Sequence, residues 1–82
     1  MTARLIMYTT TFCGPCQRLK IQLGEADIDF DEVNIETDEA AAAWVQSINS
    51  GNRTVPTLRF ADDTTMTNPS LAQVTAKLNA AN

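Results

Sequence analysis

Apolar and polar positions change their period along this chain, and each change marks an element. Leu5, Ile6, Met7 and Tyr8 form an unbroken apolar run closed by Thr9, Thr10 and Thr11, the pattern of a short buried strand. Cys16, Leu19 and Leu23 then recur at i, i+3 and i+7, which predicts a helix that packs on that face and stops at Gly24. Phe30 follows, and Val33 and Ile35 alternate with Glu32, Asn34 and Glu36 as a half-buried second strand does. A helix between two strands implies parallel pairing through a right-handed crossover.

Glu36, Asp38 and Glu39 gather just before the alanine run 40–43. Thr37 or Asp38 is the expected helix cap there, and the carboxylates favour the positive helix end, a capping role rather than a catalytic one. Ala41, Trp44, Val45 and Ile48 share the expected inward face, with Trp44 read as core and Gly51 as the stop. In residues 54–60, Pro56 precedes alternating Leu58 and Phe60; proline fits the start of a strand, where its missing N–H does least harm. Residues 61–64 read as a turn and 65–67 as a brief partner strand. Asn68 as cap and Pro69 at the first helical position open a last helix with Leu71, Val74 and Leu78 facing inward, fraying over 79–82. The order βαβαββα specifies an α/β fold: a four-stranded mixed sheet with three helices on its two faces. Ligands of such sheets bind beyond the carboxyl ends of the strands, here the end of the first.

Composition narrows the function more than the fold. A chain of 82 residues is read as one domain, 1–82, that buries about 60–65% of its unfolded surface on folding. It is 44% hydrophobic and 20% charged, ordinary for a globular protein, with no apolar run long enough for a bilayer and no leader-like pattern over residues 1–8. A cytoplasmic location is expected. A net charge of −4 argues against nucleic acid or an anionic membrane as partner. With no histidine and two cysteines, the chain lacks the four ligands of a structural zinc site, so no metal is expected.

Those two cysteines carry the chemistry: Cys13-Gly14-Pro15-Cys16 falls where the first strand gives way to the first helix. Sulfur attacks disulfides as thiolate, and an ordinary thiol is mostly protonated at neutral pH. A cysteine at the mouth of a helix faces unpaired first-turn N–H groups and the positive end of the dipole, which favour the anion. Gly14 is expected to permit a tight turn, and Pro15 supplies a preset φ in the first helical turn. A stabilised thiolate is a weaker nucleophile but a better leaving group, so the gain falls on release from a mixed disulfide. Cys16, one turn on and facing inward, is the resolving thiol. A static disulfide across so short a loop stabilises little, and a lone CxxC beside a βαβ pattern indicates redox catalysis.

Three stretches in this element order, FCGPC over 12–16, GNRTVPTLRF over 51–60 and TNPS over 67–70, resemble the glutaredoxin branch of the thioredoxin superfamily, the actinobacterial mycoredoxins above all. CGPC is also similar to the thioredoxin active site. Thioredoxins, however, add an amino-terminal strand and helix and usually carry tryptophan where Phe12 stands. The resemblance implies that Cys13 is the nucleophile, Cys16 the resolver, and Pro56 a cis proline beside the dithiol. Val55 then offers its N–H and C=O to an extended thiol substrate, as in strand addition. Phe12, Gly14, Pro15, Thr54, Thr67 and Asn68 complete the implied substrate surface. Arg53 and Arg18 are candidates to assist the thiol or Cys13, with solvated charge as the alternative.

Glutathione-using relatives bind the γ-glutamyl carboxylate with a Gly-Gly, a polar residue or cysteine, and an aspartate at the last helix. Here the stretch is Met66-Thr67-Asn68-Pro69-Ser70, where Pro69 lacks one donor and the aspartate is missing. The implied activity is thiol–disulfide oxidoreduction on protein–mycothiol mixed disulfides, with no bound cofactor and with mycothiol rather than glutathione as co-substrate. The implied partners are oxidised or mycothiolated proteins, met by a monomer. Two alternatives stay open. One is a thioredoxin-like dithiol donor to ribonucleotide reductase or general protein disulfides, reduced directly by a flavoprotein disulfide reductase. The other is a protein that bridges an iron–sulfur cluster between two chains.

Overall fold

The computed structural model describes residues 5–80; residues 1–4 and 81–82, and with them part of the stretch 1–8 and of the tail 79–82 considered above, lie outside the described residues. The elements are β1 (Leu5–Thr9), α1 (Gly14–Glu25), β2 (Asp31–Asn34), a 3-10 turn (Ile35–Thr37), α2 (Glu39–Ile48), β3 (Thr57–Phe60), β4 (Thr65–Thr67) and α3 (Leu71–Ala80). The sheet runs β2-β1-β3-β4. β1 pairs parallel with β2, Tyr8 opposite Val33, and antiparallel with β3, Tyr8 opposite Thr57; β3 and β4 form the antiparallel hairpin.

Alternation along β1 sends Leu5 and Met7 to one face and Ile6 and Tyr8 to the other. On the first face Leu5, Met7, Leu58 and Phe60 close over Leu19 and Leu23 of α1 and Val74 of α3. On the second, Tyr8 packs with Ile35, Ala42 and Val45, and Val33, Trp44 and Val55 border them. Helices therefore cover both faces of β1, which is why its apolar run is unbroken. Trp44 is only half-buried: its ring lies on Tyr8, centroids 4.7 Å apart, and the Arg59 guanidinium carbon sits 5.2 Å from its own centroid. No helix among the described residues is long and apolar enough to cross a membrane.

Element ends depart from the sequence pattern where side chains compete with it. β2 stops at Asn34 because its Oδ1 accepts the Glu36 N–H at 2.8 Å, and this local turn sends Ile35 into the core from a 3-10 turn rather than a strand. Asp38, not Thr37, caps α2, accepting the Ala41 N–H at 3.0 Å. The inward face of α2 is Ala42 and Val45, while Ile48 is exposed. Four consecutive alanines carry no period, so the small Ala42 that lets the helix approach the sheet was not distinguishable from its neighbours.

α1 runs through Gly24 to Glu25, and Asp27 takes the left-handed φ of 56° instead. Ile28 N–H donates to Leu23 C=O at 2.9 Å and Asp27 N–H to Gly24 C=O at 3.1 Å, a Schellman closure that Ile28 seals by packing with Leu23. At the end of α2, Ser50 (φ 56°) and Gly51 (φ 91°) turn the chain together, and Gly51 N–H donates to Gln46 C=O. α3 starts two residues later than expected. Ser70 Oγ accepts the Gln73 N–H at 3.1 Å while Gln73 Oε1 accepts the Ser70 N–H at 2.8 Å, a capping box. Asn68 is no cap: at φ 50° it belongs to the approach to the site.

Candidate active site

β1 delivers the chain at its carboxyl end to Cys13, which has extended backbone (φ −139°, ψ 102°) and is the N-cap of α1. Its Sγ accepts the Cys16 N–H at 3.1 Å and its carbonyl accepts the Gln17 N–H at 3.0 Å. A cysteine sulfur thus does what a serine oxygen does at most helix starts. Cys13 and Cys16 are joined as a disulfide, Cα atoms 5.2 Å apart. Cys13 keeps 9% of its surface and Cys16 1%, so the two sulfurs are not equivalent: the first lies at the rim and the second beneath it. Pro15 stands in the first turn, where no N–H is required. Gly14 does not serve a tight turn: its φ is not left-handed, and a Cβ there would meet nothing within 4 Å.

The loop ahead of Cys13 is tied down from β2. Thr11 N–H donates to Glu36 Oε1 at 2.8 Å, and Asn34 Nδ2 donates to Thr11 Oγ1 at 3.1 Å. The Thr11 hydrogen bonds hold the Glu36 carboxyl below the usual glutamate range. Asn34 had read as the outward side of a strand, and Glu36 as that and as part of the acidic cluster before α2. The local signal was the Asn-x-Glu spacing that closes their own turn.

The opposite wall is the Val55–Pro56 peptide, which is cis. Val55 O lies 3.9 Å from Cys13 Sγ, and among the described residues the Val55 N–H has no hydrogen-bond partner. Asn68 N–H donates to Pro56 O at 2.8 Å, joining the end of β4 to the proline loop. Cys13, Val55, Pro56, Thr67 and Asn68 therefore converge. Phe12, 95% exposed, and the exposed Gly14 and Pro15 border Cys13 on the solvent side. Thr54 is exposed, and its carbonyl accepts the Thr57 hydroxyl at 2.8 Å. Arg18 and Arg53 are exposed, and no hydrogen bond or ion pair among the described residues draws either toward the sulfurs.

A disulfide-bonded cysteine pair at a helix mouth, set against a cis-proline loop on this sheet, defines a thiol–disulfide oxidoreductase of thioredoxin-like fold. Comparison with known proteins narrows the class. The Glutaredoxin family model matches residues 5–64. A Mycobacterium tuberculosis protein named as a glutaredoxin is 56% identical over 78 residues, covering 95% of this chain and 93% of its own. Mycoredoxin 1 of Corynebacterium glutamicum is 40% identical over 78 residues, covering 95% and 96%. Among solved structures, a glutaredoxin from Archaeoglobus fulgidus superposes with a TM-score of 0.74 at 24% identity, covering 92% of this chain and 85% of that one. The chain belongs to the glutaredoxin family.

Proposed function

We propose that the protein reduces protein–mycothiol mixed disulfides, with Cys13 as nucleophile and Cys16 as resolving thiol. The Cys13 thiolate attacks the mycothiol sulfur; the protein cysteine leaves as thiolate and takes up a proton, and a Cys13–mycothiol disulfide remains. A second mycothiol attacks the mycothiol sulfur of that disulfide, giving mycothiol disulfide and free Cys13. Alternatively Cys16 attacks the Cys13 sulfur, releasing mycothiol and closing the Cys13–Cys16 disulfide. The observation that carries these roles is the placement of Cys13 Sγ, at the rim, 3.1 Å from the Cys16 N–H and 3.9 Å from Val55 O. Val55 pairs with an extended substrate through its main chain. Phe12, Gly14, Pro15 and Thr54 flank that substrate, Thr67 and Asn68 form its far wall, and Arg53 and Arg18 supply charge at its edges.

Kinship with Mycoredoxin 1 supports the sugar thiol, and so does the far wall. A γ-glutamyl carboxylate needs free amides, yet the Asn68 N–H is taken by Pro56 O and Pro69 has none. Matched mycothiol and glutathione mixed disulfides of one client test the choice; turnover confined to the glutathione form refutes it. Cys13→Ser abolishes turnover, whereas Cys16→Ser keeps it with mycothiol supplied. The CGPC motif also favours direct reduction by a flavoprotein disulfide reductase. NADPH consumption with such a reductase and no small thiol would establish that second route.

A further inference from the structure

One chain of hydrogen bonds runs between the two walls of the site through Asn49, at the end of α2. Thr67 Oγ1 donates to Asn49 Oδ1 at 2.6 Å, Asn49 Nδ2 donates to Thr57 Oγ1 at 3.1 Å, and Thr57 Oγ1 donates to Thr54 O at 2.8 Å. Asn49 Nδ2 also donates to Val45 O at 3.0 Å, so the amide is anchored to the end of α2 with its acceptor and both donors engaged. Every donor in the relay points the same way, and such chains reinforce one another away from water. Thr57, in its middle, is fully buried.

The two ends of the relay matter most. One is Thr67, next to Asn68 on the far wall. The other is the carbonyl of the peptide unit whose N–H belongs to Val55. That unit is planar and trans, so fixing Thr54 O in one direction fixes the Val55 N–H in the opposite one. We infer that Asn49 is a positioning residue that sets the spacing of the two walls and aims the Val55 N–H, and thereby governs selectivity for the small-thiol moiety of a mixed disulfide. The inference rests on the substrate reading given above for Val55, Thr67 and Asn68, and it holds for whichever small thiol the wild-type protein prefers.

The test measures kcat/KM on three substrates: a mycothiol mixed disulfide, the matching glutathione mixed disulfide, and bis(2-hydroxyethyl) disulfide, which carries neither sugar nor peptide for the walls to hold. Asn49→Ala lowers kcat/KM on the preferred small-thiol substrate about ten-fold, the scale of one lost hydrogen bond. The loss sits mainly in KM, and turnover of the hydroxyethyl disulfide stays within about two-fold. Thr57→Val breaks the same relay in a buried, shape-matched way and gives the same substrate-selective loss, so the inference stands or falls even where Asn49→Ala does not fold. Combined, the two substitutions cost no more than the larger alone, because they cut one chain. Equal losses on all three substrates, additive losses, or no loss on the preferred one overturn the inference. A wild-type preference for glutathione refutes the mycothiol reading while leaving the role of Asn49 to be judged on glutathione. A wild type with no preference among the three refutes both.

Discussion

Cys13 has two roles in this structure, nucleophile and helix cap, and one pair of substitutions separates them. Its sulfur accepts the Cys16 N–H at 3.1 Å, one of the orphan donors at the start of a 12-residue helix. Serine retains an acceptor there and alanine does not; losing a side-chain cap costs about 1 kcal/mol. For 82 residues the unfolding entropy is about 0.17 kcal/mol/K, so that difference moves Tm by about 6 °C. The disulfide, closing a loop between residues three apart, adds up to about 2 kcal/mol in the oxidised wild type, so the variants are compared with wild type in excess reductant. There, Cys13→Ser melts within a few degrees of wild type and Cys13→Ala about 6 °C below Cys13→Ser, and neither turns over a mixed disulfide. Scanning calorimetry with a parallel activity assay reads both quantities. Equal Tm for the serine and alanine variants would show that the Cys13 sulfur holds no helix end. Since the same N–H group is the donor argued to stabilise the thiolate, that result would undercut the argument for a reactive Cys13 as well.

Leu23, fully buried between β1 and α3 and packed with Ile28, is the anchor of the helix that carries the dithiol; Leu23→Ala costs about 3 kcal/mol, seen as a shifted urea midpoint with unchanged slope. Asp27→Gly relieves a left-handed φ of 56° and raises stability by about 0.5–1 kcal/mol, read from the same denaturation curves. Stability also depends on acid. The Thr9 hydroxyl first, and Lys20 after it, hold the Glu32 carboxyl below its ordinary range. A carboxyl so lowered stabilises the fold above its unfolded value, and that contribution fades as pH falls through the folded one. Glu32→Gln therefore narrows the drop in Tm between pH 7 and pH 3, and an unchanged drop refutes the role of that contact.

What the sequence made legible divides along physical lines. The mixed sheet, its helices and the inward Cys16 follow from periods of 2 and 3.6, which record burial on a face, and the outline survives because several residues vote for each face. Where one residue decides, the pattern failed. Gly24 looked like the end of α1, but Asp27 takes the left-handed position because Ile28 can reach Leu23. Asn68-Pro69 looked like the start of α3, but the reciprocal bonds of Ser70 and Gln73 start it later and free Asn68 to bond the proline loop. The site divides likewise. Cys13 and Cys16 lie within one short stretch of sequence, and their two-residue spacing itself reports the chemistry. Asn49, Thr57 and Thr67 lie far apart in sequence and meet only once β3 and β4 have paired and α2 has docked on the sheet, so no local pattern connects them. A hydrogen-bond relay is a property of the assembled fold, and this one ends on the Thr54–Val55 peptide unit, next in the chain to the Val55 carbonyl that lies 3.9 Å from Cys13 Sγ.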